Sequence, residues 1–182
     1  MMGDENRQTI WKGVAFEFHR EEPILPNGRR TVIGKIHHPG SVAIIPVQED
    51  GSVILIHQYR PAMQAFVWEV PGGTLNPGES PLACAMRELR EECGLEAGRF
   101  ELLGEILVAP WYSDERSHLY VATHLVAREP QLDEDEILTA HALPLDEVLV
   151  MVEQGEIQDA TTILVLQKLD ATRKKRSSSR DH

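Results

Sequence analysis

Hydrophobic and polar residues alternate between residues 10 and 38, a pattern that predicts β-strands. The alternation runs through WKGVAFEFHR and RRTVIGKIHH, with a turn predicted between them at Pro26-Asn27-Gly28. The next stretch, SVAIIPVQEDGSVILIHQYR, holds two β-branched runs on either side of Glu49-Asp50-Gly51. Asp-Gly between two such runs is typical of a β-hairpin, so we predict that the two flanking strands pair with each other.

Further along the chain, AFVWEV predicts a short strand that ends in a Pro-Gly-Gly turn. Two more strands are predicted over about 100–108 and 117–127. Between these regions, Ser80 followed by Pro81 favours a helix start, and Gly94 favours the helix end.

Two helices are predicted near the C-terminus. PLDEVLVMVEQGEI begins one near Pro144, and DATTILVLQKLDAT forms the other. Because strands and helices are mixed without strict βαβ alternation, we predict an α/β fold in which helices pack on a mixed sheet.

The helix predicted from Pro81 separates apolar from acidic side chains. On a helical wheel one stripe, expected to face the core, comprises Leu82, Met86, Leu89 and Cys93. The opposite side carries the carboxylates of Glu88, Glu91 and Glu92. One interpretation is a solvated face. The other is a cation site, which the mildly destabilising like-charge pair Glu88–Glu92 favours, and oxygen ligands suit Mg²⁺ or Mn²⁺ better than Zn²⁺.

Glycines are frequent in the loop before this helix. Gly72, Gly73 and Gly78 allow unusual backbone angles and close approach of a ligand. A loop followed by a helix N-terminus offers N–H groups to phosphate oxygens. The alternative interpretation is a plain turn, because a glycine-rich loop alone is weakly diagnostic.

Composition excludes several classes of function. The 182 residues carry a net charge of −11, and the body is more acidic still, because five basic residues lie in the last ten. Such a body argues against nucleic-acid binding, which needs a basic surface. No apolar run approaches the roughly 18 residues of a transmembrane helix, and the polar N-terminus lacks the apolar centre of a signal peptide. Cys84 and Cys93 are too far apart on one helix for a disulfide, so we expect reduced thiols in a cytoplasmic protein.

The spacing of the loop and helix residues resembles the Nudix box, G-x5-E-x7-R-E-U-x-E-E-x-G-U, where U is bulky and aliphatic. All nine defined positions match, from Gly73 and Glu79 through Arg87-Glu88-Leu89-Arg90-Glu91-Glu92-Cys93-Gly94-Leu95. The resemblance implies an α/β/α sandwich on a mixed sheet over residues 40–170. We expect a small β-rich segment before it, over 1–39, and a basic disordered tail over 171–182.

The resemblance also implies roles for the box residues. Glu88, Glu91 and Glu92 would bind Mg²⁺ or Mn²⁺, together with the backbone carbonyl of Gly72. Arg87 would orient the carboxylates through charge-assisted hydrogen bonds, and Glu79 would support the loop. The implied reaction is hydrolysis of a diphosphate, in which metal ions neutralise the phosphates and activate water.

Features outside the box narrow the substrate. HQYRPAM followed by WEVPGG, and Pro110 sixteen positions after Gly94, are similar to the ADP-ribose and nucleoside-diphosphate-sugar pyrophosphatase branch. APWYSDERSHLYVA resembles that branch's P-G-x-S-x-E segment, except that Trp111 stands where glycine is common. The indole either shapes a different sugar pocket or packs in the core. The substrates implied are ADP-ribose or a related nucleotide sugar. The alternatives are GDP-mannose, a dinucleoside polyphosphate, or a non-catalytic nucleotide-binding regulator.

The same branch implies substrate-binding residues and a dimer. Arg60, Gly73, Glu115 and Glu69 are expected to contact substrate, and the N-terminal segment is expected to exchange between the subunits of a homodimer. The general base is expected in the acidic segment QLDEDEIL, with Glu134 favoured and Glu136 next. The alternative for this run of acids is a solvated loop.

Overall fold

The N-terminal part of the chain forms a small sheet of its own. The computed structural model describes residues 7–129, 131 and 136–178, with side chains described as far as Lys175. Three antiparallel strands lie in the order β1-β2-β3, with bounds Arg7–Lys12, Glu17–Glu21 and Ile33–His37. The predicted turn lies between β2 and β3, where the Gly28 N–H donates to the Leu25 carbonyl at 2.8 Å. The predicted β-rich segment is therefore present.

Two further sheets form the main body. Four strands lie in the order β7-β4-β9-β8, with β4 Ser41–Pro46, β7 Gly72–Thr74, β8 Leu95–Leu107 and β9 Arg116–Ala127. In this sheet β4 and β9 are parallel and the other pairs are antiparallel. An antiparallel sheet has the order β10-β5-β6, with β5 Ser52–Arg60, β6 Ala65–Glu69 and β10 Leu138–Pro144.

The hairpin prediction around Glu49-Asp50-Gly51 is wrong, because the two flanking strands do not form a ladder with each other. The turn exists, with the Gly51 N–H donating to the Gln48 carbonyl at 3.0 Å. Only one bridge, Val47 to Val53, joins the two arms among the described residues, after which β4 and β5 enter different sheets. Instead of pairing with each other, β4 pairs with β7 and β9, and β5 pairs with β6 and β10.

Helices cover both faces of β4. Because successive side chains of a strand point to opposite faces, Val42 and Ile44 pack on one side and Ala43 and Ile45 on the other. The first side is closed by α1, Pro81–Cys93, through Cys84, Ala85 and Leu89. The second is closed by α2, Leu145–Glu153, and α3, Ala160–Ser178, through Leu145, Val148, Val165 and Leu166. The predicted α/β/α sandwich on a mixed sheet is confirmed.

The last helix is longer than the sequence indicated. It continues to Ser178, through much of the segment predicted to be a disordered tail from residue 171. Ion pairs support this extension, because Arg173 contacts Asp146 at 2.7 Å and Asp170 at 2.9 Å, and Lys174 contacts Asp170 at 2.6 Å. These two basic residues are thus neutralised by acids on α2 and on α3 itself.

The side of α1 that faces the core differs from the prediction. Leu82 and Met86 are 45% and 53% exposed, whereas the buried residues are Cys84, Ala85, Glu88, Leu89 and Glu92. The apolar-stripe interpretation is therefore wrong for Leu82 and Met86, whereas Leu89 is buried and Cys93 packs against the same core cluster. Small residues let this side of the helix approach β4, and the two carboxylates are carried inward with them.

Within the described residues, none of the helices has the length and apolarity needed to cross a membrane. Cys84 and Cys93 are free thiols, as predicted, and both lie on α1. Burial raises the pKa of Cys84 to about 12, and burial likewise raises the pKa of Cys93.

Candidate active site

The acidic helix α1 has well-formed ends. The Ser80 hydroxyl accepts a hydrogen bond from the Ala83 N–H at 3.2 Å, and Pro81 occupies the first helical position. At the other end Gly94 adopts φ 60°, and its N–H donates to the Arg90 carbonyl at 3.0 Å. These ends fix the helix beside β7, so that its glutamates face the glycine loop.

Arg87 connects the loop to the helix. Its Nε and Nη2 donate to the two Glu79 carboxylate oxygens at 2.9 and 3.0 Å. Its Nη1 donates to Glu88 at 2.8 Å and to Glu91 at 2.9 Å, and Nη2 also reaches the Thr74 carbonyl at 3.2 Å. The expected geometry of Arg87, as the residue that orients the box carboxylates, is present.

Glu88 is only 7% exposed and packs directly against the loop. A Cβ atom added at Gly73 would overlap the Glu88 carboxylate, so a larger residue there would force this carboxylate to move. Burial raises the pKa of Glu88, and Glu91 and Glu136 add to the rise, while Arg87 opposes it.

Glu92 is buried more deeply, at 4% exposed, and accepts a hydrogen bond from the Gly72 N–H at 2.8 Å. Burial raises its pKa to about 9, against the effect of the Gly72 hydrogen bond. Glu88 and Glu136 contribute to the rise in this pKa, whereas Arg60 opposes it. Two nearby carboxylates are thus held in an environment that disfavours their negative charge.

One of the two favoured general-base candidates can be located. Glu136 is partly buried, and its charge acts on both Glu88 and Glu92. Two neighbouring described residues are hydrogen-bonded to the body: the Gln131 N–H donates to the Glu91 carbonyl at 3.1 Å, and the Ile137 carbonyl accepts the Tyr59 N–H at 2.9 Å. Glu134 and its neighbours at 133 and 135 lie outside the described residues.

A cleft of about 380 Å³ opens beside Gly72 and Gly73. Arg60 and Glu69 line it and form a two-pronged ion pair, with Arg60 Nε at 3.0 Å from Glu69 Oε1. Glu69 raises the pKa of Arg60, with Glu92 and Asp159 contributing, although burial opposes the shift. The cleft therefore holds a persistent cation among carboxylates.

The loop between β8 and β9 supplies another wall of the cleft. Glu115 lines it and accepts a hydrogen bond from the Ser41 hydroxyl at 2.8 Å. Trp111, on the same loop, is 77% exposed, with its ring 5.2 Å from that of Tyr112. The alternative in which the indole packs in the core is therefore wrong.

All four residues expected to contact substrate, Arg60, Glu69, Gly73 and Glu115, line this one cleft. The sequence did not indicate that Ser41, Asp159 and Thr161 also line it. The sequence could have indicated Asp159 as a helix N-cap, because an Asp placed just before an apolar run is typical of one. In the structure it caps α3 by accepting the Thr162 N–H at 2.7 Å. Ser41 had no such signal, because its position depends on the parallel pairing of β4 with β9.

Comparison with known proteins identifies the family. The NUDIX domain profile matches residues 37–165, which is most of the chain and includes α1, its loop and the cleft. The chain is a Nudix hydrolase. The relatives described next support a hydrolase of the ADP-ribose pyrophosphatase type.

Several relatives of this Nudix hydrolase match over most of the chain. It is 33% identical to an ADP-ribose pyrophosphatase of Bacillus subtilis (strain 168), over 90% of this chain and 89% of that protein. It is 34% identical to an ADP-ribose pyrophosphatase of Mycobacterium tuberculosis, over 86% and 77%. It is also 35% identical to a methanol dehydrogenase activator of Bacillus methanolicus, over 89% of each. A crystal structure of an ADP compounds hydrolase superposes with a TM-score of 0.81 at 25% identity, covering 94% of each chain.

Nudix hydrolases generally depend on a divalent metal ion, and the oxygen donors of this site fit such an ion. In the described part of the chain, no three His, Cys, Asp or Glu side chains converge in a metal-binding arrangement. Glu88 and Glu91 turn toward Arg87, and Glu92 toward the Gly72 N–H. The glutamates and the Gly72 carbonyl therefore stay predicted ligands, and the buried charge of Glu88 and Glu92 is what a cation would stabilise.

Proposed function

We propose that this Nudix hydrolase cleaves the diphosphate of ADP-ribose, or of a related nucleoside diphosphate sugar, with Mg²⁺ or Mn²⁺. The observation that carries the proposal is the burial of two carboxylates, Glu88 and Glu92, against a glycine loop that opens into a cleft containing Arg60. The two ADP-ribose pyrophosphatases among the relatives support the choice of substrate.

In this proposal each side chain has a defined task. Glu88, Glu91 and Glu92, with the Gly72 carbonyl, hold the metal, and Arg87 keeps their carboxylates in position. The metal, when bound, neutralises the diphosphate and lowers the pKa of a bound water. Arg60 presents a guanidinium to phosphate, and Glu115 accepts hydrogen bonds from substrate hydroxyls.

The reaction adds one water across the phosphoanhydride. The water oxygen bonds to one phosphorus while the bridging P–O bond breaks and its electron pair leaves with the other phosphate. A carboxylate of the segment 133–136 accepts the water proton, and Glu136 is the described candidate because its charge acts on Glu88 and Glu92. The products are a nucleoside monophosphate and a sugar phosphate.

Two alternatives have support among the relatives. GDP-mannose pyrophosphatases match at about the same coverage but lower identity, for example 27% in Citrobacter koseri. A regulatory role has the methanol dehydrogenase activator as its precedent. We favour hydrolysis, because all the box glutamates are retained.

The proposal is tested by incubating the protein with Mg²⁺ and a panel of nucleotide sugars, and by following release of the monophosphate. Glu92→Gln should lower kcat by at least about 100-fold, the scale of losing one stabilising group at a reaction centre. Glu96→Gln is the matched control, because that exposed carboxylate forms an ion pair with Arg128 at 2.9 Å and does not line the cleft. This control should leave kcat unchanged. A wild-type protein that releases no monophosphate from any compound would contradict the proposal.

We further propose that residues 1–39 act as a dimerisation segment preceding a Nudix domain at 40–170. The N-terminal sheet exposes several large apolar side chains, which an exchanged partner segment would cover: Ile10, Trp11, Phe16, Phe18, Ile24 and Val32. Gel filtration at assay concentration should give twice the mass of the 20.5 kDa chain. A species of 20.5 kDa would contradict the exchange.

The cellular setting follows from the same chemistry. Free thiols that are largely buried are typical of a reducing compartment, so we propose a cytoplasmic protein. The net charge of −11 disfavours nucleic acid as a partner.

A further inference from the structure

Asp114 joins the N-terminal sheet to the loop between β8 and β9. One carboxylate oxygen accepts the His38 N–H at 2.9 Å. The other accepts His37 Nδ1 at 2.8 Å and pairs with Lys35 Nζ at 2.9 Å. A single side chain therefore contacts three residues at the end of β3.

The backbone continues this connection. The Ile36 N–H donates to the Tyr112 carbonyl at 2.7 Å, and the Asp114 N–H donates to the Ile36 carbonyl at 3.1 Å. Ile36 and Ser113 form a parallel bridge. The loop is thus held against β3 by one parallel bridge and two backbone hydrogen bonds.

The next residue along the chain is Glu115, which lines the cleft. Its N–H donates to the Ser113 hydroxyl at 3.1 Å, and its carboxylate accepts the Ser41 hydroxyl. Any shift of Asp114 relative to β3 therefore moves the backbone that carries Glu115. Burial would raise the pKa of Asp114, but the hydrogen bonds from His37, His38 and Lys35 outweigh it and hold this pKa well below its usual range. Asp114 therefore remains ionised.

We propose that Asp114 is a positioning residue, whose bonds to His37, His38 and Lys35 fix Glu115 in the cleft and so couple the N-terminal sheet to substrate binding. The inference rests on the proposed function for its kinetic test, but the coupling itself can be measured without any substrate. In this proposal the N-terminal sheet helps to position a cleft residue of its own chain, in addition to any role in dimer assembly.

The kinetic test compares Asp114→Asn with wild type. Asparagine keeps the shape but loses the charge that holds Lys35 and His37, so Glu115 becomes less well placed. We expect KM to rise roughly tenfold with little change in kcat, because Glu115 contacts substrate and not the reacting phosphorus. Glu22→Gln is the matched control, since it removes the Arg20–Glu22 pair beside the same sheet, at 2.7 Å, and that pair involves neither His37 nor the loop.

A double-mutant cycle separates positioning from general destabilisation. Ser41→Ala removes the other bond to Glu115, so its effect on KM should be less than additive with that of Asp114→Asn. The same Ser41→Ala change should be additive with Glu22→Gln. Additive effects of Asp114→Asn and Ser41→Ala, or an unchanged KM in Asp114→Asn, would overturn the inference.

Hydrogen exchange supplies the readout that needs no substrate. In Asp114→Asn the backbone amides at positions 36 and 114 should exchange faster than the same amides in wild type, while the amide of Gly94, which caps α1, keeps its rate. Unchanged exchange at both positions would overturn the coupling. A wild-type protein that hydrolyses no nucleotide sugar would overturn the proposed function alone, because this exchange experiment would still stand.

Discussion

Gly73 shows at the level of one residue how tightly the site is built. Because a Cβ at this position would overlap the Glu88 carboxylate, Gly73→Ala must displace Glu88 from the loop. We expect kcat to fall by on the order of 100-fold, since a displacement of about 1 Å at a reaction centre has that effect. Steady-state kinetics at saturating substrate measure it.

Gly98→Ala is the control for crowding alone. An added Cβ there would lie 3.1 Å from the His124 Cβ, on strands away from the cleft. This variant should lose stability but keep its kcat. If Gly73→Ala retained the wild-type kcat, the close contact between the loop and Glu88 would not matter for the reaction.

Glu79 gives a pH-dependent prediction that involves no proposed metal ligand. The hydrogen bonds from Arg87 lower its pKa from 4.5 to about 2, although burial opposes them. A lowered folded-state pKa contributes stability above the unfolded value, and this contribution disappears as the pH falls toward the folded value. The advantage of wild type over Glu79→Gln in urea unfolding should therefore be full at neutral pH and shrink between pH 4.5 and about 2. A difference that stayed constant across that window would refute this explanation.

At the scale of elements, α1 is the instructive case. Its length and both ends were predicted from Ser80, Pro81 and Gly94, because capping chemistry is local. The face that it buries was not predicted, because a helical wheel assigns glutamates to solvent. Glu88 and Glu92 are instead buried beside a glycine loop, an arrangement that function explains and hydrophobicity does not.

Two leucines of α1 test this orientation. Leu89→Ala should lower the free energy of unfolding by about 2–5 kcal/mol, because the side chain is fully buried. Leu82→Ala should change it by only about 0.5 kcal/mol, because Leu82 is half exposed. Chemical denaturation measures both. Equal losses would mean that α1 packs by the stripe that the sequence indicated.

One buried hydrogen bond connects the start of α3 to the strand end that precedes the glycine loop. The Thr162 hydroxyl accepts the Val70 N–H at 2.9 Å, two residues before Gly72. Thr162→Val keeps the side-chain shape but leaves this amide without its acceptor, which should cost about 1–3 kcal/mol of stability and lower kcat. Denaturation and steady-state kinetics report the two effects.

Two control variants help to interpret the Thr162→Val result. Thr162→Ser retains the hydroxyl and should restore kcat. Thr172→Val removes a hydroxyl that donates to the Lys168 carbonyl on the same helix, away from the cleft, and should leave kcat unchanged. Similar kinetics for Thr162→Val and Thr172→Val would show that the anchor is structural only.

For the whole molecule, charge is the dominant property. A chain with net charge −11 repels a polyanionic substrate at long range, and dissolved salt screens this repulsion. We therefore expect kcat/KM to rise as sodium chloride increases from about 20 to about 200 mM at constant free Mg²⁺, because the screening length shortens severalfold. A steady fall over this range would mean that attraction to local cations such as Arg60 dominates instead.

The sequence was sufficient for the family and the layered architecture but not for pairings between distant segments. Nine spaced positions around Glu88 indicated the Nudix box, and local patterns indicated most strands. Which strands pair was not predictable near Gly51, because β4 and β5 enter different sheets and one partner of each, β9 or β10, lies far along the chain. The cleft residues Ser41 and Thr161 were missed for the same reason, since only the assembled sheets bring them beside Arg60.

The turn at Gln48–Gly51 has a consequence for biogenesis. Each strand beside it has one partner made soon afterwards, β7 for β4 and β6 for β5, whereas the second partners, β9 and β10, leave the ribosome only later. The emerging polypeptide therefore exposes one unpaired edge on each of these two apolar strands until β9 and β10 have been synthesised.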